Sequence, residues 1–162
     1  MRRPSVPPSL PVAPTKGAGP LSRLEAARIR EELRGKGLKV TAPRVAVLWG
    51  LRGSKAPVSH GEMADRFEEA GWDRATVYRN LLDLVKAGLA RRIDVGDHTW
   101  RFEAVVVAGG GSEHPHFLCN ECGAVECLAD VTLAGKGRDK GPKALRRENV
   151  EILLRGLCDR CI

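Results

Sequence analysis

The sequence predicts an α+β chain in which a run of helices gives way to short strands. Three observations carry that reading. Apolar residues recur at helical spacing from Leu21 to about Gly88, the period then shortens to that of strands, and two Cys-x-x-Cys pairs clamp the end of the chain. With 162 residues, 43% apolar and 29% charged, there is material for one ordinary domain or two small ones, in the balance of a soluble protein. No apolar run approaches the ~18 residues that a membrane span needs.

Residues 1–20 hold six of the ten prolines and predict a disordered tail. Ser22 can cap a first helix running to Arg34, which Gly35 and Gly37 end. Thr41 caps a second, with Pro43 in its first turn and Val45, Leu48 and Leu51 at core spacing. Ser59-His60-Gly61-Glu62 has the form of a capping box and opens a third helix that Gly71 stops. Asp73 caps a fourth, with Val77, Leu81, Leu84 and Val85 on one face and Gly88 at its end. Leu89–Val95 and His98–Glu103 then read as strands joined by a two-residue hairpin turn at Gly96-Asp97. Helices followed by such a hairpin make a winged helix-turn-helix domain over 21–103, its fourth helix placed to enter a major groove. Residues 104–112 read as a linker, and 113–162 as a small α/β domain with strands at His116–Cys119, Ala124–Leu128 and Val150–Arg155. Between the last two, Gly135–Lys143 is a poor helix former.

Charge is unevenly placed. The net charge is +7, yet the first 95 residues carry +8 and the remainder −1. A basic module joined to a neutral one suits a polyanion binder with an attached control domain. Seven aromatic residues are too few for single-strand binding by base stacking, so duplex DNA is the expected partner. On the fourth helix Arg74, Arg79 and Asn80 are expected to face outward, with Thr76 and Tyr78 near the boundary. Arg reads guanine, Asn reads adenine, and Thr or Tyr donates to phosphate.

All five cysteines lie in the last 44 residues. The Pro-rich N-terminus lacks the apolar segment of a secretory signal, which points to a cytoplasmic chain in which cysteine pairs read first as metal ligands. Cys119, Cys122, Cys158 and Cys161 can bite one tetrahedral zinc ion. A 50-residue segment rarely builds an adequate core without such a staple. Free thiols or disulfides are the alternative. A second metal site is a further candidate, because His114 and His116 precede the first pair, Glu103 ends the hairpin and Cys127 is a fifth cysteine nearby.

Thr41-Ala42-Pro43-Arg44, Ala75-Thr76-Val77-Tyr78-Arg79, Ala87-Gly88-Leu89 and Arg101-Phe102-Glu103 stand in the order found in the ferric-uptake regulator family. So do His114-x-His116-x-x-Cys119-x-x-Cys122-Gly123-x-Val125 and the final Cys-x-x-Cys. Over about residues 24–162 the chain resembles that family of dimeric, metal-dependent repressors. The resemblance implies a homodimer, a winged-helix domain, an α/β dimerisation domain and a four-cysteine zinc. It also implies DNA contacts from Arg44, Tyr78 and Arg79, and sensory-metal contacts from Glu103, His114 and His116. Departures stand at Pro57 and Val150, where the family often has His, and at Cys127, where it has an acidic residue. Gly135–Lys143 replaces a helix usual in the family.

The expected function is a metal-responsive repressor acting as a homodimer on operator DNA. Its second ion is expected to be zinc, since thiolate with imidazole is softer than carboxylate with imidazole, with ferrous iron or manganese as the other candidates. One alternative keeps DNA binding with a structural zinc alone, insensitive to metal or responsive to thiol oxidation. A zinc enzyme is the least favoured, because the sequence lacks H-E-x-x-H, the zinc-deaminase pattern and a nucleophile motif. No membrane and no small-molecule substrate are expected.

Overall fold

A computed structural model describes residues 21–96, 98–105, 114–128, 130–131 and 151–162. The expected tail 1–20, all but 104 and 105 of the expected linker, Asp97, Gly135–Lys143 and Val150 lie outside the described residues.

Four helices form where the caps stand. Helix α1 spans Arg23–Gly35 and α2 Ala42–Arg52, with Ser22 and Thr41 each accepting from the backbone N–H three residues on. Helix α3, His60–Arg66, opens on a reciprocal capping box between Ser59 and Glu62, the hydroxyl and carboxylate each meeting an otherwise orphan N–H. It ends sooner than the sequence suggests: a single 3-10 turn at Glu68–Ala70 carries the chain on to Gly71 in the left-handed region. Asp73 caps α4, Arg74–Lys86, accepting from the Thr76 N–H at 2.6 Å. That hydrogen bond holds the Asp73 carboxyl below its ordinary range.

The apolar faces of these helices meet in one core. Leu33, Leu48, Met63, Phe67, Leu81 and Leu84 are buried there, and Phe102 closes it from the sheet side. Strands β1 (Val58–Ser59), β2 (Ala90–Asp94) and β3 (Trp100–Ala104) form an antiparallel sheet in the order β1-β3-β2. The two-residue strand β1 has too little sequence for a period to register. The hairpin connection is longer than expected, because Asp94 pairs with Trp100 and five residues span the turn. Gly96 (φ 80°) and His98 (φ 61°) take up its left-handed positions.

The second sheet contains β4 (His116–Cys119), β5 (Val125–Cys127) and β6 (Leu153–Gly156) in the order β5-β4-β6. Strand β5 runs antiparallel to β4 and β6 parallel to it. A small second core joins the sheets: Ile93 and Val95 of the wing are buried against Leu118, with Val125 and Leu153 beside them. Arg155 strengthens the junction by donating to the Val95 carbonyl at 2.8 Å. Among the described residues, no helix is long and apolar enough to cross a membrane.

Candidate metal centres and nucleic-acid interface

The four-cysteine cluster follows from strand register. Parallel pairing sets Cys119, the last residue of β4, opposite Gly156 of β6, so Cys158 lies two residues beyond the partner of Cys119. Each Cys-x-x-Cys then turns tightly. Gly123 N–H donates to the Cys119 carbonyl at 3.0 Å, and Cys161 N–H to the Cys158 carbonyl at 2.8 Å. All four Sγ atoms lie within 4.8 Å of one another. Cys122 and Cys158 sulfurs are 3.7 Å apart, far beyond a disulfide and close to the about 3.8 Å edge of a tetrahedron with ~2.3 Å zinc–sulfur bonds. Backbone N–H groups of Cys122 and Cys158 lower the Cys119 thiol to about 6, so it is prepared as a thiolate. Cys161, hydrogen-bonded to Cys158 and Cys122, is pushed up to about 12. The donor set fits a closed zinc site without a position for substrate.

A second cluster joins the two sheets. Cross-strand pairing places Arg91 of β2 opposite Glu103 of β3, and His116 of β4 opposite Cys127 of β5. These two pairs meet. His116 Nε2 lies 3.0 Å from Glu103 Oε2, while His114 Nε2 and Cys127 Sγ each lie 3.5 Å from the same oxygen. The other oxygen, Oε1, accepts from Arg91 Nε. Glu103 and His116 are buried, and His114 and Cys127 partly so.

The electrostatics suit a cation. Burial pulls the Glu103 carboxyl upward, but the His116 hydrogen bond and the Arg91 charge outweigh it, so Glu103 remains an anion. Burial lowers His114 and keeps its ring neutral. Burial and the Glu103 charge push the Cys127 thiol up to about 12. Nδ1 of His116 is buried with no partner among the described residues, a deficit of about 1–3 kcal/mol. All four ligand atoms lie within 4.8 Å of one another, and carboxylate, two imidazoles and a thiol make a chemically suitable set for a divalent ion.

The fourth helix does not display every residue expected of it. Arg74, Tyr78 and Arg79 are exposed, and Thr76 lies at the boundary with its hydroxyl on Asp73. Asn80 corrects the sequence reading: it is buried, with Nδ2 donating to the Thr76 carbonyl at 2.8 Å, because its position falls on the Val77–Leu81 side. Arg44 is likewise turned inward. Its guanidinium pairs with Asp83 and donates to the Lys39 carbonyl, which braces α2 against α4. Its side chain is 12% exposed. His60, left without a role by the sequence, meets the Arg74 carbonyl through Nε2 at 2.8 Å and packs at a tilt against Tyr78, with centroids 5.0 Å apart. On the wing, Arg92 lies 3.7 Å over the exposed Trp100 ring, a pair hidden in the sequence until register sets Arg92 opposite Phe102, two residues along β3 from Trp100.

This arrangement, a helix-turn-helix with a wing beside two metal-competent clusters, is that of a metal-responsive transcriptional regulator. The ferric uptake regulator family model matches residues 35–152, and the chain belongs to that family. The transcriptional regulator FurA of Mycobacterium tuberculosis is 33% identical over 137 residues, covering 81% of this chain and 88% of FurA. Among solved structures, the Vibrio cholerae ferric uptake regulator is 25% identical with a TM-score of 0.60, covering 80% of this chain and 98% of its own. A zinc uptake regulator complexed with zinc and DNA shares the fold, at 20% identity and a TM-score of 0.57, with coverage of 84% and 91%. The family consists of regulators and not enzymes, in agreement with the sequence.

Proposed function

We propose that this regulator senses zinc at Glu103, His114, His116 and Cys127, and represses by binding operator DNA as a homodimer. Residues 21–103 form the DNA-binding unit and 113–162 the dimerisation unit, stapled by a structural zinc on Cys119, Cys122, Cys158 and Cys161. One observation carries the reading. His116 and Cys127 of the second sheet, with His114 just before β4, converge on a carboxylate of the wing, so the cluster spans the junction between the units. When bound, the ion supplies a tie between the two sheets. Glu103 contributes the donor from the DNA-binding side, and Arg155 and the Ile93–Val95 contact hold the junction in register. The tie favours one of two domain arrangements and thereby sets the spacing of the two α4 helices in the dimer.

Arg74, Thr76, Tyr78 and Arg79 form the reading surface. His60 positions the start of α4 through the Arg74 carbonyl, and the Arg92–Trp100 pair is suited to backbone contact from the wing. Leu154 and Leu157, exposed at and beyond β6, are assigned to the second copy. The fitting of zinc over ferrous iron or manganese rests on the Cys127 sulfur.

The test uses DNA fragments enriched from the genome by the zinc-loaded protein. Affinity for them rises with free zinc and falls steeply with salt, as several Lys and Arg displace counterions. Arg79→Ala weakens binding by about 1–3 kcal/mol if the guanidinium reads a base. Equal DNA binding with and without zinc, with the four-cysteine ion retained, would overturn the sensing role.

A further inference from the structure

The second cluster contains a cation of its own, and no ligand reading accounts for it. Arg91 stands directly across the strand pair from Glu103 and donates from Nε to Oε1. A second guanidinium nitrogen lies 3.5 Å from His114 Nε2. The remaining oxygen, Oε2, faces His114, His116 and Cys127. Glu103 is thus divided: one oxygen belongs to the arginine and the other to the donors.

We propose that Arg91 is a specificity-determining residue for the metal at this site. The inference rests on the sensory reading of Glu103, His114, His116 and Cys127. Arg91 holds Oε1, so Glu103 can offer an ion a single oxygen. The site then has four donors, one each from Glu103, His114, His116 and Cys127. Four donors with a thiolate and two imidazoles match tetrahedral zinc, whereas manganese is suited by six oxygen-rich positions and gains from a carboxylate able to give both oxygens. The fixed positive charge acts in the same direction. It offsets the Glu103 anion, so a dication placed beside it depends on the sulfur arriving as thiolate, and soft ions take thiolate best. Neither effect follows from the sequence motif, because opposition of Arg91 and Glu103 is a property of the hairpin register.

The experiment titrates the full chain, purified with its four-cysteine zinc, with zinc, manganese and cobalt. Arg91→Met removes the donor and the charge, and Arg91→Gln keeps a donor for Oε1 without the charge. Wild type binds one further zinc per chain and one cobalt with the intense visible bands and sulfur-to-cobalt charge transfer of a four-coordinate thiolate site. In Arg91→Met the zinc-to-manganese affinity ratio falls by about 10–100-fold, the scale on which partners of ligands act. Its cobalt bands weaken as coordination rises. Arg91→Gln retains most of the discrimination and the four-coordinate spectrum. An Arg91→Met protein with wild-type ratio and spectrum overturns the proposal, as does an Arg91→Gln protein that loses discrimination fully. If neither wild type nor variants bind a second ion while keeping the first, the sensory reading itself falls, and that result is distinct from a second ion bound without selectivity. Equal melting temperatures of wild type and variants carrying the four-cysteine zinc alone separate these outcomes from misfolding.

Discussion

The four-cysteine cluster draws all its donors from residues 119–161, at one end of the second sheet, whereas the Glu103 cluster takes one donor from the wing and three from β4, β5 and the residue pair before them. The first is built by two local turns that register brings together, and its sulfurs already approach the tetrahedral spacing. The second is built by the meeting of two sheets, and its donors are held by hydrogen bonds to one carboxylate oxygen. A site within one unit can staple that unit but carries no message about another. A site that spans a junction contributes less to either fold and registers how the two units sit. Chemistry follows the same division: four sulfurs close around an ion, while a mixed set with one partly buried thiol takes an ion conditionally.

The largest effect expected is loss of the staple. Cys161→Ser removes zinc from the four-cysteine site, and structural zinc carries about 10–16 kcal/mol in small zinc-binding peptides. Residues 113–162 are expected to lose their fold and the dimer with it, read by zinc content, thermal melting and size-exclusion chromatography. Retained dimer and unchanged melting would place the staple elsewhere.

Acidification separates the clusters next. Cys127 is pushed up to about 12, so at neutral pH it is a thiol, and a metal ion must displace its proton. The group is protonated below that value and the ion competes with the proton, so zinc affinity there falls about tenfold for each pH unit lost. At lower pH the fall steepens as His114, whose value burial lowers, also takes a proton. Cys161 is pushed up as far, so the separation rests on donor type. With a chromophoric chelator present, the ion of the mixed site, held by one sulfur against four, is expected to leave at higher pH than the four-cysteine ion. Cys127→Ala should abolish the first step and leave the second. A single release step in wild type breaks the comparison.

The smallest effect lies away from both clusters. Asn80→Ala deletes a buried hydrogen bond to the Thr76 carbonyl and is expected to cost roughly 1 kcal/mol of stability. Metal occupancy should stay unchanged, and DNA affinity should stay within about twofold once the folded fraction is matched. A large loss of affinity at unchanged stability would return Asn80 to the reading surface.

The helices were legible because their caps are side-chain chemistry: Ser22, Thr41, Ser59 and Asp73 each cap where the sequence suggests. The four cysteines and the Glu103, His114, His116 and Cys127 group were legible as residue types, and the structure brings each group within 4.8 Å. What the sequence hides is register and direction. Arg91 becomes a partner of Glu103 through cross-strand pairing, and Arg44 becomes a brace through an ion pair 39 residues away. Asn80 looked outward on a residue-type argument, but its place beside Leu81 turns it into the core, where its own helix satisfies it.

The central claim is that the mixed cluster couples zinc to DNA binding while the four-cysteine cluster does not. The direct measurement is DNA affinity against free zinc for wild type and Cys127→Ala, with the four-cysteine zinc verified present in both. The account predicts that zinc tightens DNA binding by wild type and that this response disappears in Cys127→Ala without a fall in melting temperature. An unchanged zinc response in Cys127→Ala would contradict it and leave Cys127 as a packed residue of β5.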